Sequence, residues 1–351
     1  MILFSFLSLL LPLLITQLTQ ALTYRGADFS SLAILESSGR TYQDSSSSSK
    51  RPFETILSSH GTNLARIRIW TGQEYSLDYG LRLARRAVNA GMNVMVDLHY
   101  SDTWADPAHQ SIPSSWPRDL SGLNTKIFTY TRDIVNAFAN QGTPMQFIQI
   151  GNEINDGFLW PTAQISKSGF SPPSQLLHSA ANGVRSATGG SSIKIMVHVS
   201  NGWDSGLQNF FYDGIFRPGE FAMGDFDLFG VSFYPFYGRE ATFERLRSTL
   251  TGLVNKYNKD VMVVETDWPA IGSCPGVSLS ENSISISTNG QIQWVNGIKN
   301  VLNQLPGGHG IGFVYWEPGW IGNAGLGSSC SDNLLVDNQG VSRASMSMFS
   351  N

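Results

Sequence analysis

Short apolar runs recur along the chain from residue 24 onward, and most of them are rich in valine, isoleucine and phenylalanine. Runs of this kind, bounded by polar turn residues, are typical of buried β-strands. Between them, apolar residues stand at spacings of three and four, which indicates amphipathic helices. We predict eight strands in this way: Tyr24–Phe29, Leu64–Trp70, Asn93–His99, Gln146–Glu153, Lys194–Val199, Phe226–Phe233, Asp260–Glu265 and Gly310–Trp316.

Three of the intervening segments carry a distinct apolar helical face. Their residues are Leu77, Leu81, Leu83, Ala84, Ala87 and Val88; Ile127, Tyr130, Ile134, Val135 and Phe138; and Phe243, Leu246, Leu250, Leu253 and Tyr257. Strands that alternate with helices predict a parallel sheet. The number of strands and the length of the chain favour an α/β fold, a single (β/α)8 TIM barrel with long βα loops. A doubly wound sheet is the alternative, but no Gly-x-Gly-x-x-Gly turn follows the first strand.

The start of the chain differs from the rest, because its first 24 residues hold no charged side chain. The apolar run Ile2–Ile15 fits the hydrophobic region of a signal peptide better than a membrane span, which needs about 20 apolar residues. The segment Thr19-Gln20-Ala21 has the small-x-small pattern of a cleavage site. We therefore predict a signal peptide at residues 1–20, a single domain at residues 21–351, and a secreted, extracellular protein with no membrane association.

Composition narrows the classes of function. The 351 residues are 41% hydrophobic and 11% aromatic, which supports a large core and argues against disorder. The formal net charge of −4 argues against a nucleic-acid partner, which needs a basic face. Two cysteines are too few for a disulfide scaffold. In an oxidising compartment we expect Cys274 and Cys330, both in Gly/Ser-rich loops, to form a disulfide.

Charged and aromatic residues stand where the predicted strands end. In a barrel of this class the catalytic residues lie at the carboxyl ends of the strands. Burying a charged side chain at the end of an apolar strand costs free energy, so such a residue indicates a functional role. Arg66 and Arg68 stand at alternate positions of the second strand and therefore share one face. The other candidates at or just beyond strand ends are Asp97, His99, Asp102, Asn152, Glu153, His198, Tyr234, Glu265, Trp268, Trp316 and Glu317.

Glu153 and Glu265 are the pair that points to a reaction. They end the fourth and seventh predicted strands, which lie on opposite sides of a barrel mouth. Cleavage of a glycosidic bond needs two carboxyl groups that flank it, one protonated and one ionised. Two unrelated salt bridges are the structural alternative. Tryptophans in or beside the same loops favour a carbohydrate groove, although we expect about half of them to belong to the core: Trp104, Trp116, Trp160, Trp203, Trp268, Trp316 and Trp320.

Two other kinds of catalytic site are disfavoured. His99, Asp102, His109 and His198 offer zinc ligands, but the first strand lacks a His-x-His pair and no His-Glu-x-x-His occurs. No Gly-x-Ser-x-Gly elbow of a serine hydrolase is present either. We expect no cofactor and no catalytic metal, while a structural calcium ion in the loops stays open.

Six segments together resemble the members of glycoside hydrolase family 53. The likeness runs from about residue 22 to the C-terminus and is most specific between His99 and Pro107. The segments are Tyr24–Asp28, Asp97–Pro107, Gly151–Ile154, Gly230–Tyr237, Val264–Pro269 and Tyr315–Pro318. The resemblance implies a secreted arabinogalactan endo-β-1,4-galactanase that acts on galactan side chains of pectin with retention of configuration.

The resemblance also implies roles for individual residues. Glu153 matches the acid/base, the proton donor, and Glu265 matches the nucleophile. Asn152 matches the residue that binds the sugar 2-hydroxyl, Tyr234 one that orients the nucleophile, and Trp316 the platform under the cleaved sugar. Arg66 is similar to an arginine near the nucleophile, although Arg68 is the competing choice. The further substrate-binding residues that we expect are His99, Asp102, Trp104, His198 and Trp268.

The resemblance leaves some alternatives open. A β-mannanase or β-glucanase of the same clan shares the Asn-Glu pair and the later glutamate, and a non-catalytic carbohydrate-binding barrel is the alternative from another class. The pair Cys274 and Cys330 resembles the fungal members, whereas bacterial members use the loop at residues 270–289 for a calcium ion. We therefore expect galactan or arabinogalactan as the partner. We also expect a monomer and no bound metal.

Overall fold

The computed structural model describes residues 22–350, and its centre is a closed barrel of eight parallel strands. The predicted signal peptide at residues 1–20 lies outside the described residues. The strands in chain order are β1 Tyr24–Asp28, β2 Tyr42–Gln43, β3 Lys50–Arg51, β4 Leu64–Ile69, β5 Asn93–Leu98, β6 Met145–Ile150, β7 Lys194–Val199, β8 Leu228–Ser232, β9 Asp260–Glu265 and β10 Gly310–Tyr315. The barrel order is β1-β10-β9-β8-β7-β6-β5-β4, and β2 pairs with β3 in a separate antiparallel sheet. The predicted (β/α)8 barrel is confirmed.

Helices lie between consecutive barrel strands and cover the outside of the barrel. They are α1 Leu32–Ser37, α2 Phe53–Ser59, α3 Leu77–Asn89, α4 Leu120–Gln141, α5 Ile165–Ser168, α6 Ser171–Ser186, α7 Ser205–Ile215, α8 Phe243–Tyr257 and α9 Thr288–Asn303. Side-chain oxygens cap several of their first turns, as Asp119 does for α4 by accepting from the Gly122 amide at 2.8 Å. Within residues 22–350, every helix is too short or too polar to cross a membrane.

The inside of the barrel has two layers. The apolar layer fills the end where the strands begin, and it consists of Leu64, Met95, Phe147, Met196, Leu228, Met262, Val264 and Val314. The polar layer lies above it, where the strands end. Its residues are Asp28, Arg66, Arg68, Asp97, Gln149, His198 and Ser232, and each is at most 2% exposed. Because side chains alternate along a strand, Leu64, Arg66 and Arg68 all point inward from β4.

Long loops follow the barrel strands at the end where the polar layer lies. A disulfide between Cys274 and Cys330 joins the loop after β9 to the loop after β10, in agreement with the pairing expected from the sequence. The cysteines pack with Tyr234 and Phe236 from the segment after β8. The polar layer and these loops therefore meet at one end of the barrel.

Candidate active site

A cavity of about 370 Å³ opens at the carboxyl ends of the strands, above the polar layer. Its lining residues come from β4, β9 and the segments after β5, β6, β8 and β10. They are Arg66, Arg68, His99, Trp104, Ala105, Asp106, Asn152, Glu153, Tyr234, Tyr237, Glu265, Trp316, Trp320, Asn323, Leu326 and Gly327. The structure thus brings both predicted carboxyl groups to one cavity.

Glu265 is the last residue of β9, and both of its carboxyl oxygens are held. Oε1 lies 2.8 Å from Nη2 of Arg66, and Oε2 accepts a hydrogen bond from the Tyr234 hydroxyl at 3.0 Å. The side chain is almost buried, since 7% of the residue is exposed. Arg66 on β4 and Tyr234 just after β8 therefore fix the direction in which this carboxylate faces.

Arg66 connects Glu265 to the polar layer. Its guanidinium donates to the side chains of four further residues at 2.8–3.0 Å, which are Asp28, Asp97, Gln149 and Asn152. The opposite charges of Asp97, Glu265 and Asp28 outweigh burial, so the pKa of Arg66 is raised above its ordinary value. Arg66 is thus a permanent cation at the centre of the site.

Glu153 follows β6 after a sharp turn. Gly151 and Glu153 both have positive φ angles, +104° and +47°, and the turn between them directs the Glu153 side chain to the cavity. Its Oε1 lies 2.5 Å from the Ser232 hydroxyl. The amide of Asn152 is occupied within the protein, because Nδ2 donates to the Ala105 carbonyl at 2.8 Å and Oδ1 accepts from Arg66.

The two glutamates differ in charge state. Burial, reinforced by the charge of Glu265, raises the pKa of Glu153 to about 8. Burial also raises the pKa of Glu265, but the Arg66 guanidinium and the Tyr234 hydroxyl oppose that effect. The contact with Arg66 favours ionisation of Glu265 before that of Glu153. The cavity therefore favours an arrangement with the proton on Glu153 and the negative charge on Glu265.

Aromatic rings form one wall of the cavity. Trp104 stacks on Trp320 with ring centroids 6.1 Å apart and planes inclined by 22°, and Trp316 meets both rings edge to face. The guanidinium of Arg68 lies 4.5 Å from the Trp104 ring and also binds Glu317 at 2.5 Å. Flat apolar surfaces of this kind suit the C–H faces of sugar rings.

Three of the predicted substrate-binding residues lie away from the cavity. Asp102 accepts hydrogen bonds from Thr71 Oγ1 at 2.6 Å and the Ser114 amide at 2.7 Å, so it ties two loops together. Trp268 is fully buried, and its ring packs 5.0 Å from that of Trp294. His198 is fully buried within the polar layer. The structure does not place these three in the cavity lining, because neighbouring side chains occupy their polar atoms or cover the ring, and substrate contact by them stays a prediction.

The other predicted residues line the cavity, together with several that the sequence did not single out. They include Asp106, Tyr237, Asn323 and Leu326, and all lie in loops. Tyr237 is 56% exposed, and because it lies beyond β8 no period in the sequence could have identified it. Among residues 22–350, no group of three or more His, Cys, Asp and Glu side chains is arranged to hold a metal ion.

Comparisons with known proteins agree with this geometry. Residues 24–349 match the model of glycosyl hydrolase family 53. An arabinogalactan endo-beta-1,4-galactanase of Thermothelomyces thermophilus is 42% identical over 336 residues, which cover 94% of this chain and 99% of that protein. A probable arabinogalactan endo-beta-1,4-galactanase A of Neosartorya fischeri is 44% identical over 355 residues, covering 97% and 98%.

Solved structures give the same result. A structure described as one of fungal beta-1,4-galactanases matches with a TM-score of 0.90 and 42% identity, covering 94% of this chain and 99% of the other. The family 53 catalytic domain of Ignisphaera aggregans matches with a TM-score of 0.81 and 25% identity, covering 93% and 95%. The chain belongs to glycosyl hydrolase family 53.

Proposed function

We propose that this protein is a secreted endo-β-1,4-galactanase that hydrolyses β-1,4-galactan and arabinogalactan side chains of pectin with retention of configuration. The observation that carries the proposal is the pair of carboxyl groups in one cavity. Arg66 lies 2.8 Å from Oε1 of Glu265 and favours its ionised form, while burial raises the pKa of Glu153 to about 8. The names of the fungal relatives support galactan as the substrate. The predicted signal peptide supports secretion of a catalytic domain at residues 21–351, and we propose that it acts as a monomer.

In the first step the Glu265 carboxylate attacks the anomeric carbon, and the bond to the leaving oxygen breaks as Glu153 gives that oxygen its proton. The product is a galactosyl ester of Glu265. In the second step water attacks the same carbon, Glu153 takes the proton of the water, and the ester bond to Glu265 breaks. Both carboxyl groups return to their starting states, so the enzyme is ready for another turnover.

The remaining contacts support this sequence of steps. The Tyr234 hydroxyl and Arg66 position the Glu265 oxygens, so the attacking carboxylate needs no rearrangement. The Trp104, Trp316 and Trp320 wall offers stacking surfaces for several sugar rings, as an endo-acting enzyme requires.

The choice of polysaccharide is tested by measuring reducing-sugar release from β-1,4-galactan, mannan and cellulose. We expect activity on galactan that exceeds activity on the other two polymers. Predominant activity on mannan or cellulose would assign the chain to a different specificity, and no release from any of them would favour a non-catalytic carbohydrate-binding barrel.

The roles of the two glutamates are tested by azide rescue with an activated aryl galactoside. In Glu265→Ala the nucleophile is absent and azide takes its place, so we expect restored turnover and an α-galactosyl azide. In Glu153→Ala the first step needs no acid, the galactosyl ester accumulates, and azide gives the β-galactosyl azide. If Glu265→Ala gave the β-azide and Glu153→Ala the α-azide, the two roles would be reversed. If both variants lost their fold and azide rescued neither, both role assignments would be withdrawn.

A further inference from the structure

The hydrogen bond at Glu153 continues away from the cavity into the barrel. Ser232 Oγ lies 2.5 Å from Oε1 of Glu153 and 2.8 Å from Nε2 of His198. Ser232 is 2% exposed and His198 is fully buried. A serine hydroxyl can donate one hydrogen bond and accept others. Ser232 therefore joins the carboxyl of Glu153 to a buried imidazole.

The other ring nitrogen of His198 faces an acceptor and a donor at the same time. Nδ1 lies 2.9 Å from Oδ1 of Asn152 and 3.0 Å from Nε2 of Gln149. Neither amide is free to turn. Asn152 Nδ2 donates to the Ala105 carbonyl, and Gln149 Oε1 accepts from Nε of Arg66 at 2.8 Å. Consequently either neutral tautomer of His198 has a partner at Nδ1.

His198 remains neutral in this environment. Burial lowers its pKa well below the ordinary value, and the Arg66 guanidinium acts in the same direction. The charged or titratable groups that influence it are Arg66 on β4, Asp97 on β5 and His99 just after β5. Those that influence Glu153 are Glu265 on β9, Asp106 after β5, Arg66 on β4, and Tyr234 and Tyr237 after β8.

We propose that Ser232 and His198 form a reversible hydrogen-bond relay, with both as positioning residues, that keeps Glu153 hydrogen-bonded in each of its two protonation states. The relay rests on the acid/base role of Glu153 proposed above. When Glu153 is protonated, it donates to Ser232, Ser232 donates to Nε2 of His198, and Nδ1–H donates to Asn152. When Glu153 is ionised, each of these hydrogen bonds reverses or changes partner.

In the ionised arrangement Ser232 donates to Glu153, His198 donates from Nε2 to Ser232, and Gln149 donates to the bare Nδ1. The imidazole carries one proton in both arrangements. As the free enzyme titrates, the proton lost by Glu153 goes to solvent, and solvent likewise takes one proton from Nδ1 and returns one to Nε2, so the number of protons on His198 stays the same. The relay thus changes the tautomer of His198 and not its charge.

The relay matters most for the ionised state. A buried carboxylate without a donor is strongly disfavoured, and a hydrogen bond to a carboxylate is about twice as strong as one between neutral groups. Loss of the Ser232 hydroxyl therefore disfavours ionised Glu153 more than protonated Glu153. We expect Ser232→Ala to move the alkaline limb of the pH profile of kcat/KM upward by about one pH unit.

The first test reads the tautomer directly and needs no substrate. In wild-type protein with 15N-labelled histidine, the Nδ1 and Nε2 chemical shifts of His198 report which nitrogen carries the proton, and His198→Asn assigns the signals among the six histidines. We expect the tautomer to change with a midpoint equal to that of the alkaline limb, and to be independent of pH in Glu153→Gln. A single tautomer throughout, or the same transition in Glu153→Gln, overturns the relay.

The second test compares two buried serines. Ser200 is 4% exposed, and its hydroxyl accepts from Asn155 Nδ2 at 2.6 Å, so Ser200→Ala is the matched control. We expect both variants to lower Tm, but only Ser232→Ala to move the alkaline limb. We also expect His198→Asn to move the limb when Ser232 is present and not in the Ser232→Ala background. An unmoved limb in Ser232→Ala, or shifts of the two variants that add, overturns the relay.

The two proposals fail in different ways. If the protein is not a galactanase, galactan hydrolysis and azide rescue fail while the tautomer measurement on the wild-type protein still applies. If the relay is absent, azide rescue keeps its two expected products and the tautomer stays constant.

Discussion

Arg66 shows how one side chain organises the chemistry of its neighbours. Its guanidinium contacts both the candidate nucleophile Glu265 and the buried Asp97, whose pKa is lowered mainly because the arginine charge outweighs burial. A lone buried carboxylate would take up a proton instead. Arg66 thus favours the ionised form of Glu265, and Glu153 is the member of the pair that more readily keeps a proton.

The first prediction at this scale concerns the pH dependence of activity. With galactan as substrate, kcat/KM requires protonated Glu153, so it falls as pH rises through about 8, where Glu153 loses its proton. With an activated aryl galactoside, whose departure needs no acid, the glycosylation step lacks that alkaline limb. Steady-state pH profiles with both substrates check this, and identical alkaline limbs would contradict the acid role of Glu153.

A second prediction concerns the buried Asp267. Oδ1 accepts from Asn333 Nδ2 at 3.0 Å, whereas Oδ2 has no hydrogen-bond partner within the described residues. Burial raises the pKa of Asp267 well above its ordinary value. The fold therefore favours the protonated form of Asp267, whereas the same carboxyl group has a pKa of about 4 in the unfolded chain. Asp267 consequently lowers the free energy of unfolding at pH values above about 4 and has no such effect below.

Asp267→Asn keeps the shape and remains neutral, so we expect it to raise the free energy of unfolding at pH 7 by about 1–3 kcal/mol. The gain should disappear as pH falls to about 4. Denaturant unfolding across this pH range measures it. Asp133→Asn, at a side chain that is 58% exposed, is the control and should show no such trend. A variant that is less stable than wild type at pH 7 would contradict the argument.

Which site residues the sequence could predict depends on how far each lies from a strand. Arg66 is within β4 and Glu265 ends β9, so alternation and strand ends place both. Asp102 and Trp268 stand beyond the strands, where no period fixes the direction of a side chain. Tyr237 was not predictable for the same reason, since only the path of its loop brings its side chain to the cavity.

At the scale of elements, the barrel strands were predictable and the small additions were not. The barrel strands are buried on both faces, and therefore appear as continuous apolar runs with turn residues between them. The short α1 and α2 and the two-residue strands β2 and β3 offer too few residues for a period to show. The predicted strand Gln146–Glu153 was also too long, because β6 ends at Ile150 and the turn that directs Glu153 begins there.

The loops after β9 and β10 lead to a prediction at this scale. Their disulfide closes a segment with a sequence separation of 56 residues and packs against Tyr234, the hydrogen-bond donor to Glu265. We expect the double variant Cys274→Ser/Cys330→Ser to lose about 2–4 kcal/mol of stability. Leu326 and Gly327, in the loop after β10, line the cavity. We therefore expect the double variant to raise KM by a larger factor than it lowers kcat.

Thermal unfolding with and without dithiothreitol checks this prediction. Reductant should lower the Tm of the wild type to that of the variant and leave the variant unchanged. Alkylation of both cysteines in unreduced wild-type protein would show that the disulfide is absent.

At the scale of the whole molecule, a closed barrel and two joined loops carry the site. The apolar layer closes the inner end of the barrel, the polar layer is tied by direct hydrogen bonds, and the loops are joined covalently. The sequence also lacks the ligand spacings of the common zinc sites. The long loops meet around the cavity through contacts within the protein.

Metal independence is the prediction that belongs to this scale. After extended dialysis against EDTA we expect unchanged galactan hydrolysis and little change in Tm. The control is the same protein after addition of calcium chloride, which should match the dialysed sample. A large loss of activity that calcium restores would place an ion in the loop after β9.

The polar layer also gives the mouth of the barrel an electric field. Its two guanidinium groups, Arg66 and Arg68, stand against the carboxylates of Asp28, Asp97 and Glu265. With Glu153 and Glu317 nearby, carboxyl groups outnumber guanidinium groups at the mouth. Because the layer is buried, dissolved salt screens its charges poorly. The anomeric carbon becomes cationic as the glycosidic bond stretches, so the barrel holds an anionic surface beneath a positive charge that exists only during the reaction.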